Sequence, residues 1–417
     1  MGVRRVGLLS VHTSPLDQPG TGDGGGLNVY VAQVARRLAA RGVEVDVFTR
    51  ATDPAQPPVE ELTAGVTVHR VTAGPVAPLP KDELSSHLCG FVTALLRHPL
   101  AASHDVLHAH YWLSGWVGRR LTERWGTPFV QTFHTLGLLK NETLAPGDVP
   151  EPPLRLVAER RIAHAADRLC VLTCGEARLL HRRLGVSGSR MTVVPAGVDL
   201  ELFHPEPAAG GDVLPAELAG RAGPMLLFVG RLQPLKGPDV AVDTLAEVRR
   251  HRPDAHLVVV GGTSGSGEGR TGPAELEARA AALGVRDGLT VLPARPQHDL
   301  AALYRAADVV LAPSRSETFG LVALEAQACG TPVVAADVAG LQATVGAADG
   351  GVLVPGHDPA AHAAAVLAYL DDPALAARAG AAGRAHAVRS SWDRTAERLH
   401  AVYGELAAAR IAVPAAS

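Results

Sequence analysis

The chain has 417 residues, 47% hydrophobic and 19% charged, which excludes a disordered or fibrous protein and points to at least two cores. Its formal net charge is −3 and it has no basic run, so nucleic acid and anionic membrane surfaces are poor candidate partners. Of 39 basic residues only Lys81, Lys140 and Lys236 are lysine, so each lysine stands out against a background of arginine.

Met1 to Val6 lead into a short strand-like run rather than a signal sequence, and no apolar stretch reaches the roughly 18 residues of a membrane span, so a soluble cytoplasmic protein is expected. The four cysteines are too few for a disulfide framework, and Cys170-x-x-x-Cys174 has no second pair to complete a zinc site. Buried structural thiols are expected.

Short apolar runs alternate with segments of helical period, the pattern of parallel βαβ units covered on both faces. Strands are expected at Val6–Ser10, Val43–Thr49, Val66–Val71, Val106–Ala109, Phe129–Phe133, Arg168–Thr173 and Met191–Val194. The series pauses through Pro195–Pro205 and a Pro/Gly/Ala-rich stretch, 207–212, that reads as a linker. It resumes at Met225–Val229, His256–Val260, Leu289–Leu292, Val309–Ala312, Pro332–Ala336 and Gly351–Val354. The expected fold is therefore α/β, with two doubly wound Rossmann-like domains, 1–205 and 206–391, facing a central cleft. The final helix, 392–417, is expected to cross back to the first domain.

Five glycines fall within Gly20-Thr-Gly-Asp23-Gly24-Gly25-Gly26, ahead of the apolar-periodic helix expected over Val29–Leu38. Such a loop lets an anion or substrate approach backbone N–H groups. Its formal G-x-G-x-x-G begins ten or more residues after the strand, which argues against a dinucleotide site and an NAD(P)-dependent dehydrogenase. His108 and His110 are read on opposite sides of their strand with no carboxylate cluster, which argues against a metal centre. His134 and Thr135 follow the next strand as a polar pair facing the cleft.

Arg231 ends a strand and Lys236 follows five residues later at a helix start, a fork and a point charge suited to a diphosphate. Glu317 precedes, and Glu325 lies within, an apolar helix. A carboxylate so placed needs a hydrogen-bonding partner, which vicinal sugar hydroxyls would supply. The chain has no D-x-D, so Arg231 and Lys236 would have to replace a catalytic divalent metal in stabilising a leaving diphosphate.

With Gly230-Arg231 to Lys236, Glu317-x7-Glu325 and Gly330-Thr-Pro-Val-Val334, the chain resembles the retaining glycosyltransferases of family four, which have the two-Rossmann GT-B architecture. Ser10-Val-His12-Thr-Ser-Pro15, Gln18-Pro19-Gly-Thr-Gly-Asp23, His110-Tyr-Trp-Leu-Ser-Gly115, the glycine-rich 261–267 and Gly356-His-Asp-Pro359 narrow the likeness. It is greatest to members that move N-acetylglucosamine from UDP to 1D-myo-inositol 3-phosphate in mycothiol biosynthesis, and extends from Val6 to about Tyr403.

The resemblance implies that Lys81, Tyr111, Thr135 and Arg155 hold an acceptor phosphate, while His12 and the loop Asp23, Gly24, Gly25, Gly26, Leu27 and Asn28 line the inositol. Gln18, Pro19, Gly26, Arg231, Lys236, Arg295, Glu317 and Glu325 would hold the donor, with Arg231, Lys236, Glu317 and His134 closest to the chemistry. It further implies no catalytic cofactor, a structural magnesium near Tyr304, Arg305, Ala307 and Thr331, and a homodimer. Leu27, the segment His134 to Lys140, Arg315 and Gly340-Leu-Gln depart from the family pattern. A secondary-metabolism paralogue with a different polyol, or a zwitterionic thiol such as ergothioneine, as acceptor and a UDP- or GDP-sugar as donor is the alternative.

Overall fold

A computed structural model describes residues 2–20, 22–144, 149–207, 211–263, 272–346 and 349–412. Parts of the expected linker (208–210), the glycine-rich mark (264–267) and the last helix (413–417) lie outside the described residues.

The first sheet contains β1 (Arg5–Leu9), β2 (Glu44–Arg50), β3 (Val59–Thr63), β4 (Val66–Val71), β5 (Val106–His110), β6 (Phe129–Thr132), β7 (Arg168–Val171) and β8 (Met191–Val193). Its order is β3-β4-β2-β1-β5-β6-β7-β8. All neighbours are parallel except β3, which turns back on β4 in antiparallel register. β3 is the strand the apolar runs do not announce, because Val59-Glu-Glu-Leu-Thr63 is an edge segment without a buried residue. Gly65, at φ 82°, makes the return to β4.

The second sheet contains β9 (Met225–Val229), β10 (His256–Val260), β11 (Leu289–Leu292), β12 (Val309–Ala312), β13 (Val333–Ala336) and β14 (Gly351–Val354), in the order β11-β10-β9-β12-β13-β14. All its pairings are parallel. Valines and leucines fill these strands because helices cover both faces. In each sheet the strand order reverses at the first strand, β1 or β9, and open α/β sheets bind ligands beyond the carboxyl ends of strands at such a switch point.

The chain crosses between the sheets twice, side by side. Val198 donates its N–H to the Ser390 carbonyl at 2.9 Å and bridges to Ser391. A Cβ on Gly197 would collide with the backbone of Ser391 and Trp392, so only glycine permits this approach. The helix Trp392–Ala412 then packs on the first sheet's helix Gly26–Ala39: the Trp392 ring lies 5.5 Å from Tyr30, and the Tyr403 hydroxyl hydrogen-bonds His108 Nδ1 at 2.6 Å. One apolar cluster runs from β1 through Phe203 and Trp392 to Tyr304, so the two units share a core layer. Of the cysteines, Cys170 and Cys329 are buried as expected, but Cys89 and Cys174 are exposed on helices.

Candidate active site

A cleft of about 280 Å³ lies between the two sheets at both switch points. Its first wall is built by the ends of β1, β5 and β6 and by the glycine loop. That loop is clamped by Asn28, whose side-chain oxygen accepts the Gly25 N–H at 2.9 Å while its amide donates to Thr13 Oγ1 at 2.6 Å. The resemblance implied that Asn28 lines the inositol, but Asn28 is buried, is not among the residues that line the cleft, and holds the loop instead. Gly24 and Gln18 likewise fall outside the lining, whereas His12, Pro19, Asp23, Gly25, Gly26 and Leu27 are within it. The loop reaches the opposite wall: a Cβ on Gly25 would touch the Arg231 guanidinium at 3.6 Å, and one on Gly26 would touch Leu321 at 3.1 Å.

Tyr111 follows β5 in left-handed backbone, φ 74°, at the start of the helix Tyr111–Trp125. A tyrosine there is strained, and the surroundings fix it. Gln131 donates to its carbonyl, the His12 ring lies 4.6 Å away, and Lys81 and Arg155 stand 4.7 and 4.8 Å from its ring centre. Lys81 lines the cleft, and burial draws its pKa down to about 8 against the pull of Asp23.

Arg155 does not line the cleft. It is 2% exposed, donates to Glu159 at 2.7 Å and to the Thr135 carbonyl and hydroxyl at 3.0 and 2.9 Å, and pairs with Glu151 at 2.9 Å. It thus supports Thr135 and Tyr111 from behind. Lys140 joins the same network through Glu151 at 2.5 Å.

His134 follows β6 in left-handed backbone, φ 61°, and lines the cleft. His110 stands behind it, Nδ1 to Nε2 at 3.0 Å. The expectation that His108 and His110 lie on opposite sides of their strand is wrong: residues two apart share a face, and their ring centres are 4.2 Å apart. Burial keeps all three histidines well below the usual imidazole range, with His108 and His134 at about 3, so they are neutral.

The second wall carries Arg231, Lys236, Arg295, Glu317 and Glu325. Lys236 ends the short turn Pro234–Lys236 rather than opening a helix, and Gly237, at φ 71°, passes so close to the Pro313 carbonyl that a Cβ would collide. Its ammonium donates to Glu317 at 2.5 Å, so cation and carboxylate flank one position. Arg315, a departure from the family pattern, braces that turn by donating to the Pro234 carbonyl at 2.5 Å and pairing with Asp239 at 2.6 Å.

Glu325 lies inside the helix Leu321–Ala328, which Gly320 opens at φ 92°. Tyr304 donates to it at 2.9 Å and Gln297 at 3.1 Å, while burial raises its pKa to about 7. Sequence reading missed Tyr304 and Gln297 as supports because each precedes Glu325 by twenty residues or more.

The residues named for magnesium, Tyr304, Arg305, Ala307 and Thr331, would ligate it mostly through backbone groups. Thr331 Oγ1 donates to the Tyr304 carbonyl at 2.5 Å, and the Arg305 guanidinium is paired with Asp212 at 2.6 Å. Carbonyl and hydroxyl oxygens are ligand types that a hard divalent ion accepts, but these four residues bring no carboxylate of their own. Among the described residues no cluster of three acidic, histidine or cysteine side chains could hold one.

Comparison with known proteins follows this division. Residues 25–197 match the glycosyl transferase 4-like domain and residues 217–386 the glycosyl transferases group 1. A D-inositol 3-phosphate glycosyltransferase of Acidothermus cellulolyticus is 51% identical, over 98% of this chain and 91% of its own length. Another, from Thermomonospora curvata, is 48% identical over 96% and 95%. Among solved structures, the sucrose-phosphate synthase of Thermosynechococcus elongatus superposes with a TM-score of 0.89 at 35% identity, covering 97% of this chain and all of that one.

Proposed function

Since the chain belongs to the family-four glycosyltransferases of GT-B architecture, we propose that it transfers N-acetylglucosamine from its UDP donor to 1D-myo-inositol 3-phosphate with retention of anomeric configuration. The activity of its curated relatives supports this reading. In the structure one observation carries it: a single cleft sets a lysine–tyrosine–threonine group on one wall against an arginine, lysine and glutamate on the other.

On the first wall Lys81, Tyr111 and Thr135 take the acceptor phosphate, with Arg155 fixing two of them, and His12 and the glycine loop face the ring hydroxyls. The acceptor binds first, and closure then joins the walls. On the second, Arg231 and Lys236 neutralise the diphosphate as the glycosidic bond lengthens, which favours the transition state over the bound donor. Glu317, held to Lys236, positions the sugar, and Glu325 receives the ribose hydroxyls. Glu317 is engaged by Lys236, and Glu325 by Tyr304 and Gln297, so neither is placed as a free nucleophile. Transfer on the front face, with the leaving phosphate oxygen taking the acceptor proton, is the corresponding route to retention.

The glycosyltransferase family sets aside a dehydrogenase. No helix among the described residues is long and apolar enough to cross a membrane, and we place the reaction in the cytoplasm. The test is a matrix of UDP- and GDP-sugars against inositol 3-phosphate, inositol and ergothioneine, read by mass spectrometry. One N-acetylhexosamine added to inositol 3-phosphate from the UDP donor is the expected product. Transfer only to another acceptor would overturn the assignment.

A further inference from the structure

The hydrogen bonds behind His134 determine which of its ring nitrogens carries the proton. At the deep end of the cluster, Thr132 spends its single hydroxyl hydrogen on the Cys170 carbonyl at 3.0 Å. Thr132 Oγ1 therefore accepts from His108 Nε2–H at 2.9 Å, and His108 Nδ1 accepts from the Tyr403 hydroxyl at 2.6 Å. Both nitrogens of His108 are satisfied, so it offers nothing to His110.

His110 is buried, and among the described residues the only hydrogen-bond partner of its ring is His134, between His110 Nδ1 and His134 Nε2 at 3.0 Å. Its own Nε2 is buried and has no partner among the described residues. Both imidazoles are neutral, so one nitrogen of the pair donates and the other accepts. If His134 donated, His110 would carry its proton on Nε2 and leave an N–H buried with no acceptor. If His110 donates from Nδ1, only a lone pair is left unmet, and orphaned N–H groups are the rarer defect in folded proteins.

We propose that His110 is a positioning residue whose Nδ1–H fixes His134 as the Nδ1–H tautomer, so that His134 presents a neutral N–H donor to the cleft. The geometry agrees. His134 lines the cleft, its Nε2 faces His110, and the edge of Tyr30, 4.9 Å away, holds the ring from the side. An N–H so fixed can donate to an oxygen of the bound sugar but cannot act as a base toward it. This role rests on the sugar-transfer reading, whereas the tautomer itself does not.

The test has two arms. In the full chain labelled with 15N-histidine, long-range proton–nitrogen correlations report the tautomer without substrate, His134 being assigned by the loss of its signals in His134→Gln. The expected pattern is protonated Nδ1 and bare Nε2; the opposite pattern, or averaging between the two, overturns the proposal. Kinetically, His110→Asn keeps an amide N–H at the place of Nδ1 and should remain near wild type. His110→Leu should lose about tenfold in kcat at unchanged acceptor KM. Equal loss in both variants, or wild-type kcat in His110→Leu, contradicts the positioning role. If the wild-type enzyme transfers no sugar, the transfer reading fails while the NMR arm still decides the tautomer.

Discussion

Three lysines stand against a background of arginine, and the structure gives each a carboxylate neighbour. Lys236 stands on the wall proposed to take the donor, and Lys236→Ala should cost on the order of 10²–10³ in kcat; a wild-type kcat would remove its role at the diphosphate. Lys81 has a pKa lowered by burial to about 8, so its charge is present below that pH and lost above it. Acceptor kcat/KM, which reports the free enzyme, should fall as pH rises through about 8, and Lys81→Ala should abolish that limb. Glu325 is shifted the other way. Its carboxyl, raised by burial to about 7, binds a proton more readily folded than unfolded, so stability declines as pH rises from about 4.5 to about 7. Glu325→Gln should therefore raise Tm at pH 8, by up to about 3 kcal/mol of stability, while weakening donor binding, and calorimetry with UDP titration checks both. The residue types of this site were legible in the sequence, but their orientation was not. Asn28 and Arg155 carry the right chemistry, yet buried contacts engage them behind the wall, Asn28 with Thr13 and Arg155 with Thr135, at separations along the chain that spacing does not reveal.

At the scale of elements, the apolar runs located every parallel strand, down to the edge strands β8 and β14, and lost β3 because Val59-Glu-Glu-Leu-Thr63 contains no apolar run. Turns that carry site residues were harder to read. The Pro234–Lys236 turn takes its position from Arg315, whose place in the sequence looked only like a departure from the family. Arg315→Ala frees that turn and leaves Asp239 unpaired, and kcat should fall roughly tenfold without change in acceptor KM. A raised acceptor KM with normal kcat would show that Arg315 serves the other wall.

For the whole molecule, the paired crossings at Pro195–Val198 and Ser390–Trp392 hold the two sheets in register around the cleft. Gly197→Val forces a side chain into the backbone of Trp392 and should cost at least about 1–3 kcal/mol, seen as a lower Tm. The alternation of strands and helices made two domains legible, whereas this contact, between residues almost two hundred apart, was not. In the proposed reaction one wall selects an anionic acceptor for a sugar activated on the other. That selection is tested most directly by comparing kcat/KM for inositol 3-phosphate and for inositol, with UDP-N-acetylglucosamine, in wild type and Lys81→Ala. Wild type should strongly prefer the phosphorylated acceptor and the variant should lose that preference; equal use of both acceptors by wild type, or a preference untouched by the substitution, would show that this wall does not select the anion.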